Sequence, residues 1–462
     1  MTTRRAAGFA ALLVCALPVA ALLARQQLPP VAKPARIESR MPPGFLAKAD
    51  EILTSAYAIG GPGAAAIITK DGRPVYRRAT GLADLEFSTM LEPDMVFRIG
   101  SVTKQFTAAA ILLLADRGAL RLDDDITKYV PDFDTGTRHV TIEHLLTHTS
   151  GIRNYTDVPA WRPTWGQDLT PSQLVAFVKP EPFEFDPGSR WAYSNTGYIL
   201  LGMIIEKVSG TPYAEFMRKE VLLPLGLART MYDDPMKIVP RRARGYVRVN
   251  GELANAPYLS MTHPFAAGAL VSTVDDLARW DAALTAHRLL KPESLARMFV
   301  PYRLQSGESA GYAMGWAISS YEGHALAEHG GGIPGFTCHV VRFADDKLYV
   351  AVLSNDTSGV ATRTAHLLAA LAVGRPFVNP PEITLSPTTL DSFAGRYAKG
   401  DDVVTVSREG NHLKAEFGGS MVDLAASAGT AFYEPGGPMR VTFSAKEMIV
   451  SGWGDRSTYV RQ

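Results

Sequence analysis

The chain has 462 residues, 46% of them hydrophobic and 20% charged, a composition that can bury a large core and excludes a disordered or collagen-like chain. Lys and Arg total 47 against 46 Asp and Glu, a formal net charge of +1, so the global basic surplus that drives phosphate-backbone binding is missing and nucleic acid is not expected as a partner. Cys15 and Cys338 are too few for a disulfide framework or a thiolate metal site.

Residues 1–24 open with Met-Thr-Thr-Arg-Arg and continue as an apolar run to Leu23, the pattern of a signal peptide. Small-residue cleavage sites lie at Val19-Ala20-Ala21 and Leu22-Leu23-Ala24. Left uncut, the run is near the lower length limit of a membrane anchor, and that is the one route by which a membrane would be a partner. Both outcomes place the body outside the cytoplasm, periplasmic or secreted.

After a proline-rich leader, residues 64–69 and 75–79 are β-rich runs around Lys70-Asp71-Gly72-Arg73, which predicts a hairpin. Residues 101–117, closed by Gly118, and 196–209, closed by Gly210, read as helices. The first is apolar on nearly all sides from Phe106 to Leu114, which implies burial. Residues 336–343 and 348–354 return to strand, so strands at both ends with helices between predict an α+β domain over 45–375. Prolines 376, 380, 381 and 387 predict a linker over 375–390 that holds no regular helix. Short β-rich runs at 403–406, 412–417, 440–443 and 448–450 then predict a small C-terminal barrel or sandwich over 388–462.

Three short motifs carry chemistry. Ser101-Val102-Thr103-Lys104 opens the apolar helix, where unpaired N–H groups and the helix dipole can stabilise an oxyanion. Lys104 shares the helix face of Ser101, and a partly desolvated lysine there can take the serine proton. Tyr193-Ser194-Asn195 sits in a loop just before a helix, offering a phenol for proton transfer and an amide for a substrate carbonyl. His329-Gly330-Gly331-Gly332 enters a strand, and its glycines let a substrate backbone approach.

Taken in order and spacing, these motifs resemble the serine β-lactamase and penicillin-binding-protein-like hydrolases, in particular the branch of class C enzymes, D,D-carboxypeptidases, D-aminopeptidases and esterases. Phe97-Arg98-Ile99-Gly100, Leu145-Leu146-Thr147-His148-Thr149-Ser150-Gly151 and Gly197-Tyr198-Ile199-Leu200-Leu201-Gly202 agree with it. The resemblance implies a β-lactamase/transpeptidase-like α+β fold with an antiparallel sheet and a helical subdomain, followed by a lipocalin-like all-β domain marked by Phe393-Ala394-Gly395-Arg396-Tyr397. It implies Ser101 as nucleophile, Lys104 as its base, Tyr193 as proton relay, and Asn195, His329, Gly330 and Gly331 as substrate-binding residues. The backbone N–H groups of Ser101 and Gly332 would form the oxyanion hole. No cofactor and no metal are implied, and the substrate is a small-molecule or short-peptide acyl donor. His329-Gly330-Gly331 replaces the Lys-Thr-Gly of most β-lactamases in the family, which ranks peptidase or esterase activity above antibiotic hydrolysis. The alternative is a catalytically silent binder of peptidoglycan-type acyl ligands. The β-rich tail is expected to flank the active-site mouth and restrict substrate size.

Other motifs lack the context their chemistry needs. Gly307-Glu308-Ser309-Ala310-Gly311 matches a nucleophile elbow, but its flanks are neither a buried strand nor a helix. His144 and His148 lack the intervening acid of a zinc-protease helix, and Asp123-Asp124-Asp125 reads as a capping turn. Cys338 alternates into a strand as a buried residue.

Overall fold

Asp71 and Gly72 both take left-handed backbone angles, φ 54° and 68°, as the tightest hairpin turns require. They join β1 (Ala64–Lys70) to β2 (Arg73–Thr80). The computed structural model describes residues 41–462 except 401, 418, 419 and 455; the expected leader over 1–24, with Cys15, lies outside the described residues. Four later strands, β3 (Ala317–Tyr321), β4 (His324–Ile333), β5 (Phe336–Phe343) and β6 (Leu348–Ser354), complete an antiparallel sheet in the order β3-β4-β5-β6-β1-β2.

Alternation divides the core between the two faces of this sheet. Ala64, Ala66 and Ile68 pack with α1 (Phe45–Ala56) and α5 (Val360–Ala372). Ala65 and Ile67 face a larger core built with α2 (Thr103–Asp116), α3 (Asn195–Ser209) and α4 (Val274–Thr285). Every residue of α2 from Thr103 to Leu114 is buried, as its all-round apolar pattern predicts, and Phe106 stacks on Trp280 of α4 at 4.3 Å. Gly118 and Gly210 follow α2 and α3 in the left-handed conformation that ends a helix.

The tail forms a closed, all-antiparallel eight-stranded barrel: β7 (Gly395–Lys399), β8 (Asp402–Glu409), β9 (His412–Phe417), β10 (Ser420–Ala426), β11 (Ala431–Tyr433), β12 (Arg440–Phe443), β13 (Glu447–Ser451) and β14 (Arg456–Arg461). Pairing of Tyr397 with Arg461 and Ala398 with Val460 closes it. Four of the eight strands had no clear signature in the sequence. The linker also differs from expectation, since α6 (Pro387–Phe393) begins inside it. Proline is at home in a first helical turn, where no N–H is needed, and Ser386 caps the helix by accepting from the Thr389 amide.

The barrel does not stand at the mouth of the motif-bearing cavity. Its Trp453 stacks on Tyr321 of β3 at 4.5 Å and on His366 of α5 at 4.2 Å, and Glu434 pairs with Arg363 of α5 at 2.9 Å. These contacts lie on the α1/α5 face of the sheet, whereas the Ser101 helix packs on the opposite face. The expectation that the tail shades the mouth is therefore corrected: the short loop before β14 is aromatic because it fills a joint between domains. Among the described residues no helix is long and apolar enough to cross a membrane.

Candidate active site

The Ser101 turn is a short 3₁₀ segment, Gly100–Val102, that runs directly into α2. Gly100 holds φ 47°, and a β-carbon there would lie 2.9 Å from the Gly332 nitrogen. A side chain is excluded, and the Ser101 turn sits against the end of β4. Gly331 makes the neighbouring contact, because a β-carbon on it would meet the Ile99 carbonyl oxygen at 2.1 Å and Cys338 Sγ at 2.5 Å.

One turn along the helix, Lys104 is wholly buried. Its Nζ lies 2.8 Å from Asn195 Oδ1, 2.9 Å from the Ala267 carbonyl oxygen and 3.2 Å from Ser101 Oγ. The two carbonyl oxygens can only accept, so they take two amine hydrogens. Burial pushes the Lys104 ammonium well below the ordinary lysine range. A neutral amine then has its lone pair left for Ser101, the one neighbour of the three with a hydrogen to give.

Tyr193 donates to Ser101 Oγ at 2.8 Å, which leaves the serine hydrogen free to point at Lys104. Burial raises the Tyr193 pKa, so the phenol stays protonated at neutral pH and can act as a donor. Its position depends on residues outside the motif. The His148 ring packs 4.4 Å from the Tyr193 ring, and His148 Nδ1 accepts from the Ser194 amide at 3.1 Å. Ser194 caps α3, and the Asn195 amide donates to Asn154 Oδ1 at 3.0 Å. Asn195 Oδ1 is committed to Lys104, so what this side chain offers a ligand is its NH₂ group.

The third motif divides in two. The His329 Nδ1 donates to the Gly330 carbonyl at 2.6 Å, which fixes the tautomer, and its Nε2 accepts from the Tyr312 hydroxyl at 2.8 Å. Burial above all pushes His329 down to about 3, so it is neutral at pH 7 with both nitrogens engaged. Strand β3 pairs with β4 only as far as Glu328, which leaves the outer edge of residues 329–333 open. Ile333 and Phe336 flank a two-residue turn and exchange hydrogen bonds, so by alternation the Gly332 N–H points away from β5 to that open edge.

A cavity of about 120 Å³ opens beside the serine. Ser101, Asn195 and Gly332 line it, while His329, Gly330 and Gly331 do not. Its remaining walls include Tyr155, Trp161, Trp165, Leu259, Pro264, Ile333 and Pro334, with no charged side chain. Trp161 is oriented by donating to His263 Nδ1 at 2.9 Å, and Tyr155 by donating to the His263 carbonyl at 2.7 Å. Motif reading missed this wall because it comes from loops over 155–165 and 259–264, where position, and not local pattern, makes the residues matter.

The discarded motifs have structural places. His144 completes a capping box with Thr141 and reaches Tyr302 at 3.1 Å. Asp125 caps the turn Ile126–Lys128. Ser309 lies in an exposed loop, accepting from the Gly311 amide, and buried Cys338 donates to the Ile99 carbonyl.

Comparison with known proteins places the whole chain. A family described as Beta-lactamase matches residues 49–374. The chain is 29% identical over 428 residues to Penicillin-binding protein 4* of Bacillus subtilis (strain 168), covering 86% of this chain and 94% of that one. The octameric penicillin-binding protein homologue from Pyrococcus abyssi superposes with a TM-score of 0.67 at 28% identity, over 90% of this chain and 98% of that chain. D-amino acid amidase from Ochrobactrum anthropi SV3 superposes with a TM-score of 0.62 at 26% identity, over 71% of this chain and 97% of that chain. With a family match across most of its length and a β-lactamase/transpeptidase fold bearing a closed barrel, the chain belongs to the beta-lactamase family and is a serine hydrolase.

Proposed function

We propose that this protein is an exported hydrolase that forms an acyl-enzyme on Ser101 and cleaves neutral amides or esters whose acyl group carries an apolar or aromatic substituent. The observation that carries the reading is the environment of Lys104: two carbonyl oxygens hold its hydrogens, and the remaining neighbour is Ser101 Oγ.

In this mechanism Ser101 Oγ attacks the substrate carbonyl carbon as its proton passes to Lys104 Nζ. The carbonyl oxygen becomes an oxyanion held by the N–H groups of Ser101 and Gly332, and the Asn195 NH₂ holds a second substrate carbonyl. Collapse breaks the bond to the amine or alkoxide, which leaves with the Tyr193 proton, and the Lys104 ammonium restores that proton. Water then attacks the acyl-enzyme along the same path in reverse, returning the hydrogen of Ser101.

The substrate class follows from the walls. An aromatic, uncharged cavity beside the serine suits a phenyl-sized acyl substituent, and D-amino acid amidase has been crystallised with L-phenylalanine amide. No lysine or arginine lines the cavity to pair with a carboxylate next to the scissile bond, so a β-lactam or a C-terminal D-amino acid is bound less well than a neutral ester or amide. The open edge of β4 offers an extended peptide a strand to align with. The intact set of Ser101, Lys104, Tyr193 and Asn195 disfavours a silent binder.

The test is intact mass of the chain after brief exposure to an activated phenylacetyl ester, a D-phenylalanine amide or a penicillin, with substrate loss followed in parallel. A Ser101-dependent adduct or turnover, strongest for the phenylacetyl ester, is the expected result. Full activity in Ser101→Ala overturns the mechanism, and preference for penicillin overturns the substrate class.

A further inference from the structure

Glu328 precedes His329 on β4 and so points to the other face of the sheet, away from the cavity. There its carboxylate meets two histidines brought from β5 and α5. Glu328 Oε2 lies 2.9 Å from His339 Nε2 and 2.8 Å from His366 Nε2, and the three atoms fall within 4.8 Å of one another. The three side chains are only 14%, 8% and 11% exposed. His339 stands opposite Gly330, where a β-carbon would come within 3.2 Å of its Nδ1, so the absence of a side chain at 330 makes room for this imidazole.

Among the described residues, Glu328 has no lysine or arginine ion-pair partner, and both of its ion-pair partners are histidines. A carboxylate almost out of water whose ion-pair partners are imidazoles alone lacks a compensating fixed charge. The surroundings also have the outer hydrogen bonds that metal ligands use: Thr362 Oγ1 lies 3.3 Å from His339 Nδ1, and the Trp453 indole N–H of the barrel donates to Glu328 Oε2 at 3.0 Å.

We propose that Glu328, His339 and His366 form a structural site for a borderline first-row dication, Zn²⁺ above all, that fastens the catalytic sheet to α5 and to the barrel. Two imidazoles and one carboxylate are a donor set suited to zinc, with a water as fourth ligand. Each histidine ligates through Nε2 as the neutral tautomer protonated on Nδ1; in His339 that hydrogen faces Thr362. Trp453 cannot ligate and remains a donor to the coordinated carboxylate, so the barrel joins the site through its outer shell. Because the site lies behind the strand, substrate does not reach it, and its role is separate from acyl transfer.

The test uses the full chain, stripped with a chelator, then equilibrated with ZnCl₂, gel-filtered and assayed for bound metal and thermal midpoint. Wild type is expected to retain one zinc per chain and to melt several degrees higher with zinc than without. Glu328→Gln and His366→Gln, which keep a polar group of similar shape, should each weaken zinc binding by about tenfold or more. If wild type retains no more zinc than His339→Gln/His366→Gln, or its midpoint ignores zinc, the cluster is a hydrogen-bonded clasp and the proposal fails. Should the variants not fold, Co²⁺ added to the stripped wild type decides: strong visible bands of four-coordinate cobalt, displaced by Zn²⁺, support the site, and their absence overturns it.

Discussion

Gly100 and Gly332 belong to segments more than two hundred residues apart, yet a β-carbon on the first would lie 2.9 Å from the amide nitrogen of the second. The turn that carries Ser101 and the end of β4 are thus held at backbone contact. In the proposed mechanism this contact sets the spacing of the Ser101 and Gly332 N–H groups before substrate arrives, and such preorganisation is where electrostatic catalysis gains most.

Gly100→Ala and Gly331→Ala should both damage catalysis by moving the strand. The first also places alanine at φ 47°, and the second drives a methyl against the Ile99 carbonyl at 2.1 Å. Overpacking of this kind costs about 1–3 kcal/mol. Thermal melts and ester turnover should show kcat falling by more than the loss of folded protein explains.

Asn195→Asp would put a carboxylate in place of the oxygen 2.8 Å from Lys104 Nζ. An adjacent negative charge favours the ammonium, raising the lysine pKa and removing the base at neutral pH. The acid limb of the kcat/KM profile should therefore move to higher pH, with activity partly recovered in alkaline buffer. An unshifted limb would show that Lys104 is not the titrating base.

Stability should carry the opposite mark of the same lysine. Lys104 binds its proton less readily folded than unfolded, so between the depressed value and about 10.4 the unfolded state holds more protons and stability rises with pH. Lys104→Met removes this dependence. The midpoint difference between variant and wild type should move in favour of wild type from pH 7 to pH 10, while the variant loses acylation by about 10²–10⁴-fold.

Trp161→Ala should open the uncharged wall and reduce the preference for phenylacetyl over acetyl esters by about tenfold or more. Acyl donors with a carboxylate beside the scissile bond should stay poor substrates in both proteins. Steady-state kcat/KM for the three esters measures both effects.

Much of the fold was legible in the sequence because its signals are local. The Asp-Gly hairpin, the apolar helix after Ser101 and the strands Phe336–Phe343 and Leu348–Ser354 need only turn chemistry and periodicity. Ser101, Lys104, Tyr193 and Asn195 were legible as motifs. Residues whose value comes from distant partners were not: His148 holds the Tyr193 ring, Tyr312 ties up His329, and Trp161 is oriented by His263. The Glu328, His339 and His366 cluster was silent for the same reason, since its first and last members stand 38 residues apart and meet only when α5 lies across the sheet.

The open rim of β4 has a cost for any β-sheet protein, because an unpaired strand is a template on which other chains can aggregate. Here three consecutive glycines offer an incoming strand no side chains to grip, and Pro334 ends the run. The Ser101 turn crowds the same rim, since a β-carbon on Gly100 would lie 2.9 Å from the Gly332 nitrogen, and leaves little room for a further sheet to add there. The glycine run therefore gives an incoming strand little to hold, which disfavours self-association along this rim.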